Sequence, residues 1–236
     1  MSLGHAHRVL QSPSVPSLSS LELALSNPAS PFAALTMEEL SVIQLELRKC
    51  TRCQLAGYPV QGPPIFSGAP GARVMIVGQA PGRVEVGETL RPFSGSAGAR
   101  LFRWLQTAGW SETQVRAQFY ITSVTKCFPG PNKSGRGDRA PSRAEQQLCA
   151  SWLEAEVTLV DPVLLIPVGT LAAVRFFGPD RKLVDLVGQR FQIEGRTVVP
   201  LPHPSGASAW TQAPANQALV RQALAHLLAV KQELDL

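Results

Sequence analysis

The chain has 236 residues, 44% of them hydrophobic, which suits one α/β domain with a proper core and leaves a second full domain cramped. Its formal net charge is +5 and its sequence pI about 9.3, a basic excess compatible with nucleic acid but shared by many proteins that bind none. No run of eighteen apolar residues occurs and residues 1–9 lack the apolar core of a secretory signal, so no membrane contact and a reducing, cytoplasmic location are expected.

Residues 1–35 are rich in Ser, Pro, Ala and Leu without sustained periodicity, and read as a disordered tail with at most a short helix at 21–25. Residues 36–236 read as the folded domain. Thr36-Met37-Glu38-Glu39 is a capping box that predicts a helix to Lys49. Prolines and glycines between Pro59 and Gly71 then predict a loop. The apolar run at 73–77 predicts a buried strand ended by Gly78.

A helix is expected over 97–108 and a strand over 119–124, followed by a polar, basic loop. Ser142-Arg143-Ala144-Glu145 is a second capping box, opening a helix to Val160. A buried strand at 163–168, a helix at 169–177, strands at 190–193 and 197–201, and a closing helix at 216–230 complete the pattern. Strands alternating with helices predict an α/β fold: a single three-layer domain whose central, mostly parallel sheet is flanked by helices. In such sheets the chemistry sits beyond the carboxyl ends of the strands, here after Val77, Val124 and Leu201.

The four cysteines are Cys50 and Cys53, a C-x2-C pair, then Cys127 and Cys149 singly. Four thiolates can hold zinc or a cubane iron–sulfur cluster. Zinc ribbons bring two close pairs together, so one pair and two distant singles suit a cluster better. Burial of Cys127 and Cys149 as small hydrophobes stays open on spacing alone.

Three further segments carry candidate chemistry. Gly78-Gln79-Ala80-Pro81-Gly82 directly follows the first strand, where a tight turn can aim backbone N–H groups at a ligand. It matches neither G-x-G-x-x-G nor a P-loop. Arg91-Pro92-Phe93-Ser94-Gly95-Ser96-Ala97-Gly98 sets one aromatic in a glycine-rich loop before a helix. His203-Pro204-Ser205-Gly206 follows the last strand.

In order, C-x2-C, GQAPG, RPFSGSAG, VTKC, a fourth Cys and HPSG resemble the iron–sulfur members of the uracil-DNA glycosylase superfamily, family 4 most nearly and family 5 next. The resemblance covers residues 47–228. It implies a 4Fe–4S cluster on Cys50, Cys53, Cys127 and Cys149, with a structural role. It also implies a DNA partner containing uracil, single- or double-stranded, and hydrolysis of the N-glycosidic bond of a flipped base to leave an abasic site. By resemblance, Gln79 and Ala80 offer backbone groups to the base and Phe93 stacks on it. His203 hydrogen-bonds O2 and stabilises charge on the departing base. Glu85 places water or steadies the sugar cation.

The resemblance further implies that the loop 126–143, with Lys126, Lys133, Arg136, Arg139 and Arg143 against the single acid Asp138, flanks the DNA, as does Ser205. A monomer is expected.

The chain departs from the family pattern at three places. Gln79 replaces a glutamate, and Ser123 stands where an asparagine commonly reads the base. No leucine wedge follows HPSG, leaving Trp210 or another loop residue to fill the gap in the duplex. Between Gly82 and Phe93 no histidine occurs, so the covalent trapping of one superfamily branch is not expected. The two leading rival readings are a glycosylase for another deaminated base, such as hypoxanthine or xanthine, and a non-catalytic iron–sulfur DNA-binding module. An electron-transfer ferredoxin is disfavoured, because ferredoxins space their cysteines more densely.

Overall fold

The run VMIVG forms strand β1, Val74–Gly78, buried along its whole length. In the computed structural model, which describes residues 31–68, 70–134, 137–206 and 209–236, β1 lies inside a five-stranded sheet. The other strands are β2 (Phe119–Ser123), β3 (Leu164–Pro167), β4 (Phe191–Ile193) and β5 (Arg196–Val198), and the sheet order is β2-β1-β3-β5-β4. Every pairing is parallel except the β4–β5 hairpin, which turns at Glu194-Gly195.

Alternation along the central strands separates two cores. Val74, Ile76, Phe119, Ile121, Leu164 and Ile166 face one side. There they meet α3 (Ser96–Thr107), α4 (Glu112–Gln118) and α9 (Pro214–Leu234). Met75, Val77, Tyr120 and Leu165 face the other. That side is covered by α1 (Pro31–Arg48), α5 (Arg143–Val160) and α6 (Thr170–Phe177). Because both faces of a parallel sheet are covered, its strands read as continuous apolar runs, and the three layers follow. Short helices at Arg52–Leu55 (α2), Leu183–Leu186 (α7) and Ala209–Gln212 (α8) complete the set among the described residues.

The capping box expected at Ser142 is present: Ser142 Oγ accepts from the Glu145 N–H while the Glu145 carboxylate accepts from the Ser142 N–H. The one expected at Thr36 is not. Helix α1 begins five residues earlier, at Pro31, so Thr36 lies inside it. Proline is favoured at a first helical position, where its missing N–H has no partner to lose. Residues 1–30, including the short helix expected at 21–25, lie outside the described residues. The short helices α2, α7 and α8 have no counterpart in the sequence reading, nor do α4, opened by a capping box of Ser111 with Gln114, and a π-helical turn at Glu85–Thr89.

Candidate active site

The chain leaves β1 toward β2 on one side and later adds β3 on the other, so the carboxyl ends of β1 and its neighbours form the crevice where such sheets bind ligands. The loops after β1 and β2 are joined there by two backbone bonds, Val124 N–H to Gly78 O at 2.9 Å and Thr125 N–H to Gln79 O at 3.2 Å. A cleft opens beside them, lined by Gly78, Ala80, Glu85, Phe93, Thr122 and Ser123 among others. Gly78 has a steric reason to be glycine: a Cβ there would stand 2.8 Å from Cζ of Phe93, whose ring lies over the end of β1.

Phe93 sits in the left-handed region, φ 53°. For a bulky residue that conformation costs on the order of 1–2 kcal/mol and persists only where the surroundings impose it. The surroundings here are specific. The buried Glu85 carboxylate accepts from Ser94 N–H (2.9 Å) and Gly95 N–H (3.3 Å) through Oε1, and from Gly82 N–H (3.1 Å) through Oε2. Glu85 therefore ties the GQAPG loop to the RPFSG loop. Arg116, on α4, donates to Pro92 O (3.1 Å) and Phe93 O (3.2 Å). Behind them Gly98 is packed so closely that a Cβ would fall 1.9 Å from the Phe93 carbonyl oxygen.

His203 stands at the same edge of the sheet, beyond the Val168–Leu201 bridge and against Gly169, but does not line the cleft that contains Phe93. The Ser205 N–H donates to His203 Nδ1 at 3.3 Å. Burial lowers the imidazole pKa below its ordinary value. A neutral ring whose Nδ1 accepts must carry its proton on Nε2, which makes Nε2–H a fixed donor. The Ser205 carbonyl accepts from Arg100 on α3, 3.4 Å away, anchoring the HPSG loop.

The four cysteines, far apart in the chain, line one cavity together with Thr125, Lys126 and Glu145. Trp152 Nε1–H donates to Cys50 Sγ at 3.2 Å. Burial, reinforced by the neighbouring sulfurs, pushes the Cys53 thiol up to about 11 and the Cys127 thiol up to about 12, and raises Cys149 as well. Thr125 Oγ1, buried at this cavity, has no hydrogen-bond partner. Among the described residues no three His, Cys, Asp or Glu side chains converge tightly enough for a single metal ion.

Comparison with known proteins bears on this arrangement. The family model of the uracil DNA glycosylase superfamily matches residues 65–228. The chain belongs to that superfamily. It is 33% identical over 175 residues to a type-4 uracil-DNA glycosylase of Thermotoga maritima, covering 72% of this chain and 84% of the relative. A type-4 enzyme of Saccharolobus solfataricus is 29% identical over 180 residues, covering 72% and 78%. A type-5 enzyme of Pyrobaculum aerophilum is 37% identical over 112 residues, covering 43% and 46%.

Within this uracil-DNA glycosylase fold, several expected roles need correction. Lys126 cannot meet a phosphate, since it is 1% exposed and its ammonium donates to Glu156 Oε2 (2.6 Å), Thr122 Oγ1 (2.7 Å) and Ser123 O (2.6 Å). Arg139 is engaged in a bidentate pair with Glu145 at 2.6 and 2.7 Å, and the guanidinium holds the Glu145 carboxyl down to about 2. Lys133 is exposed, and Arg136 lies outside the described residues.

Glu85, expected to place water or steady the sugar cation, has both carboxylate oxygens engaged by backbone N–H groups. The Gln79 carbonyl is taken by Thr125. Ser123 lines the cleft, but its hydroxyl proton goes to Thr125 O at 2.7 Å, so toward a ligand it can only accept. Trp210 packs against the core that covers α3 and α9, which argues against its use as a wedge. Arg116 and Trp152 carried no motif signal, because their roles depend on partners remote in sequence.

Proposed function

We propose that this protein is a DNA-repair glycosylase that flips uracil from DNA and hydrolyses its N-glycosidic bond, leaving an abasic site. The observation that carries the reading is the pairing of an aromatic held in a ligand-facing cleft, Phe93, with a neutral His203 whose Nε2–H is fixed as a donor on the same edge of the sheet. A flat base stacks on the ring and is shielded from water there. As the glycosidic bond breaks, negative charge grows on the base, and a preorganised N–H stabilises that charge more than the ground state. In this reading Phe93 binds substrate and Ala80 lines the cleft beside it, while the Gln79 carbonyl serves the Thr125 N–H.

Glu85 acts as a positioning residue that keeps the two loops in register. No side chain of the GQAPG turn offers a strong general base, so departure of the base with a developing sugar cation is the step being assisted.

The chemistry of the donor set fits a 4Fe–4S cluster on Cys50, Cys53, Cys127 and Cys149. Four thiols share one cavity with a buried hydroxyl that has no partner, and an indole N–H donates to the Cys50 sulfur. The thiols would have to ionise to hold such a cationic core. When bound, such a group would contribute structural cross-linking of the loop after β2 to α5. Iron and acid-labile sulfide in the purified protein, both lost in Cys127→Ser, check this assignment.

Ser123 supports a second reading. Its proton is given to Thr125 O, which leaves the oxygen free only to accept, so it can take the ring N–H of uracil or of hypoxanthine alike. Base release from single- and double-stranded oligonucleotides carrying uracil or hypoxanthine, with His203→Ala and Phe93→Ala alongside, tests both readings. Uracil release that collapses in both variants is expected. Hypoxanthine release alone would move the specificity, and no release from either lesion would end the enzymatic reading.

A further inference from the structure

We infer that Arg116 is a positioning residue for base release: its guanidinium holds the Phe93 turn in the left-handed conformation that aims the ring across the cleft. The inference rests on Phe93 being the surface on which the base stacks.

Three features of the geometry lead to this residue. Phe93 is a bulky side chain at φ 53°, a conformation it would leave if released. Its turn is gripped from both directions. The Glu85 carboxylate accepts the N–H groups of Ser94 and Gly95, which follow Phe93. Arg116 donates to the carbonyls of Pro92 and Phe93, which precede and include it. Two separate nitrogens of one planar fork serve the two successive carbonyls, at 3.1 and 3.2 Å, whereas lysine would bring a single nitrogen, so lysine is not an equivalent.

Arg116 is itself preset. Its Nε donates to Glu112 at 2.7 Å, one turn earlier on α4. Its guanidinium carbon lies 4.4 Å from the centroid of the Phe102 ring on α3. Its N–H groups are divided between a carboxylate that fixes the fork and two carbonyls of the turn. The rigid helix pair α3–α4 thereby sets the direction of a side chain that belongs to a loop. A ring displaced by about 1 Å loses much of the orientation benefit, an effect that reaches 100-fold in rate.

The test is a double-mutant cycle on single-turnover uracil release, using Arg116→Gln, Phe93→Ala and the double variant, with melting temperature recorded for each. If Arg116 acts through Phe93, Arg116→Gln slows release by roughly 10- to 100-fold in the native background and by less than about threefold on top of Phe93→Ala. Arg116→Lys should recover only part of the rate.

An equal loss in both backgrounds, tracking the fall in melting temperature, would mean a structural role and overturn the inference. An unchanged rate in Phe93→Ala would instead defeat the stacking reading, and the inference with it. Should Arg116→Gln fail to fold, Glu112→Gln in the same cycle replaces it, because Glu112 is half exposed and touches the turn only through Arg116. A smaller loss that vanishes in the Phe93→Ala background supports the inference, and no loss counts against it.

Discussion

The Ser205 N–H points at Nδ1 of His203, 3.3 Å away, so the backbone of the HPSG loop selects the tautomer of its own histidine. Protonating that ring would place a charge in a buried site and set an N–H against the Ser205 N–H. Both effects disfavour the cation, so the pKa in the folded protein lies below the ordinary 6.5. The sign follows: uracil release should stay level as pH falls through 6.5 and decline only below it. A kcat profile with its acid limb at or above 6.5 would argue that the ring titrates freely. His203→Ala should lower kcat by about 100-fold or more, as loss of one oxyanion-type donor does.

Glu85 is expected to act on the loops rather than on the substrate. Glu85→Gln leaves one oxygen and turns an N–H2 group toward backbone donors, with a cost of about 1–3 kcal/mol. Thermal unfolding should shift down by several degrees while activity falls in parallel. Activity lost at an unchanged melting temperature would assign Glu85 a direct part in the chemistry.

The ion pair between Lys126 and Glu156, with side chains 1% and 0% exposed, is a stability element. Tyr120 and Thr122 also donate to the Glu156 carboxylate, at 3.1 Å and at 2.9–3.2 Å, so the charge is fully satisfied. Removing one partner strands the other in the core. Lys126→Met should destabilise the protein by about 3–5 kcal/mol, and Lys126→Met with Glu156→Gln should recover part of that loss. Chemical denaturation of the three proteins makes the comparison. No destabilisation in Lys126→Met would show that the lysine is not committed to Glu156.

The basic loop separates into cations of different use. Lys133→Ala should weaken DNA binding and reduce the slope of log affinity against log salt by about one. Arg139→Ala should leave that slope unchanged and lower stability instead, since its guanidinium serves a Glu145 side chain that is only 1% exposed. The Glu145 pKa of about 2 implies that this contribution is present above the ordinary carboxylate range and lost as pH falls from about 5 toward 2. Salt titrations of binding alongside acid titrations of unfolding distinguish the two residues.

The sequence by itself determined the alternation of apolar strands and helices, the parallel sheet, the second capping box and the order of the motifs. Each of these is a local pattern: strand burial writes a continuous apolar run, and a cap needs only residues three apart. Residues 73–78 and 119–123 were legible as strands for that reason, and so were the loops beyond them that form the cleft. The Ser111 cap is equally local, an S-x-x-Q pattern completed by Gln114.

Only the tertiary structure decided which charges are free. Lys126 and Arg139 look like solvated cations until Glu156, thirty residues on, and Glu145, six residues on, are brought against them. It also decided that four scattered cysteines share a cavity and that Arg116 reaches a turn twenty-three residues earlier. The physical reason is the same in each case. Desolvation and hydrogen-bond partnership depend on neighbours in space, and the closure of the sheet sets those neighbours.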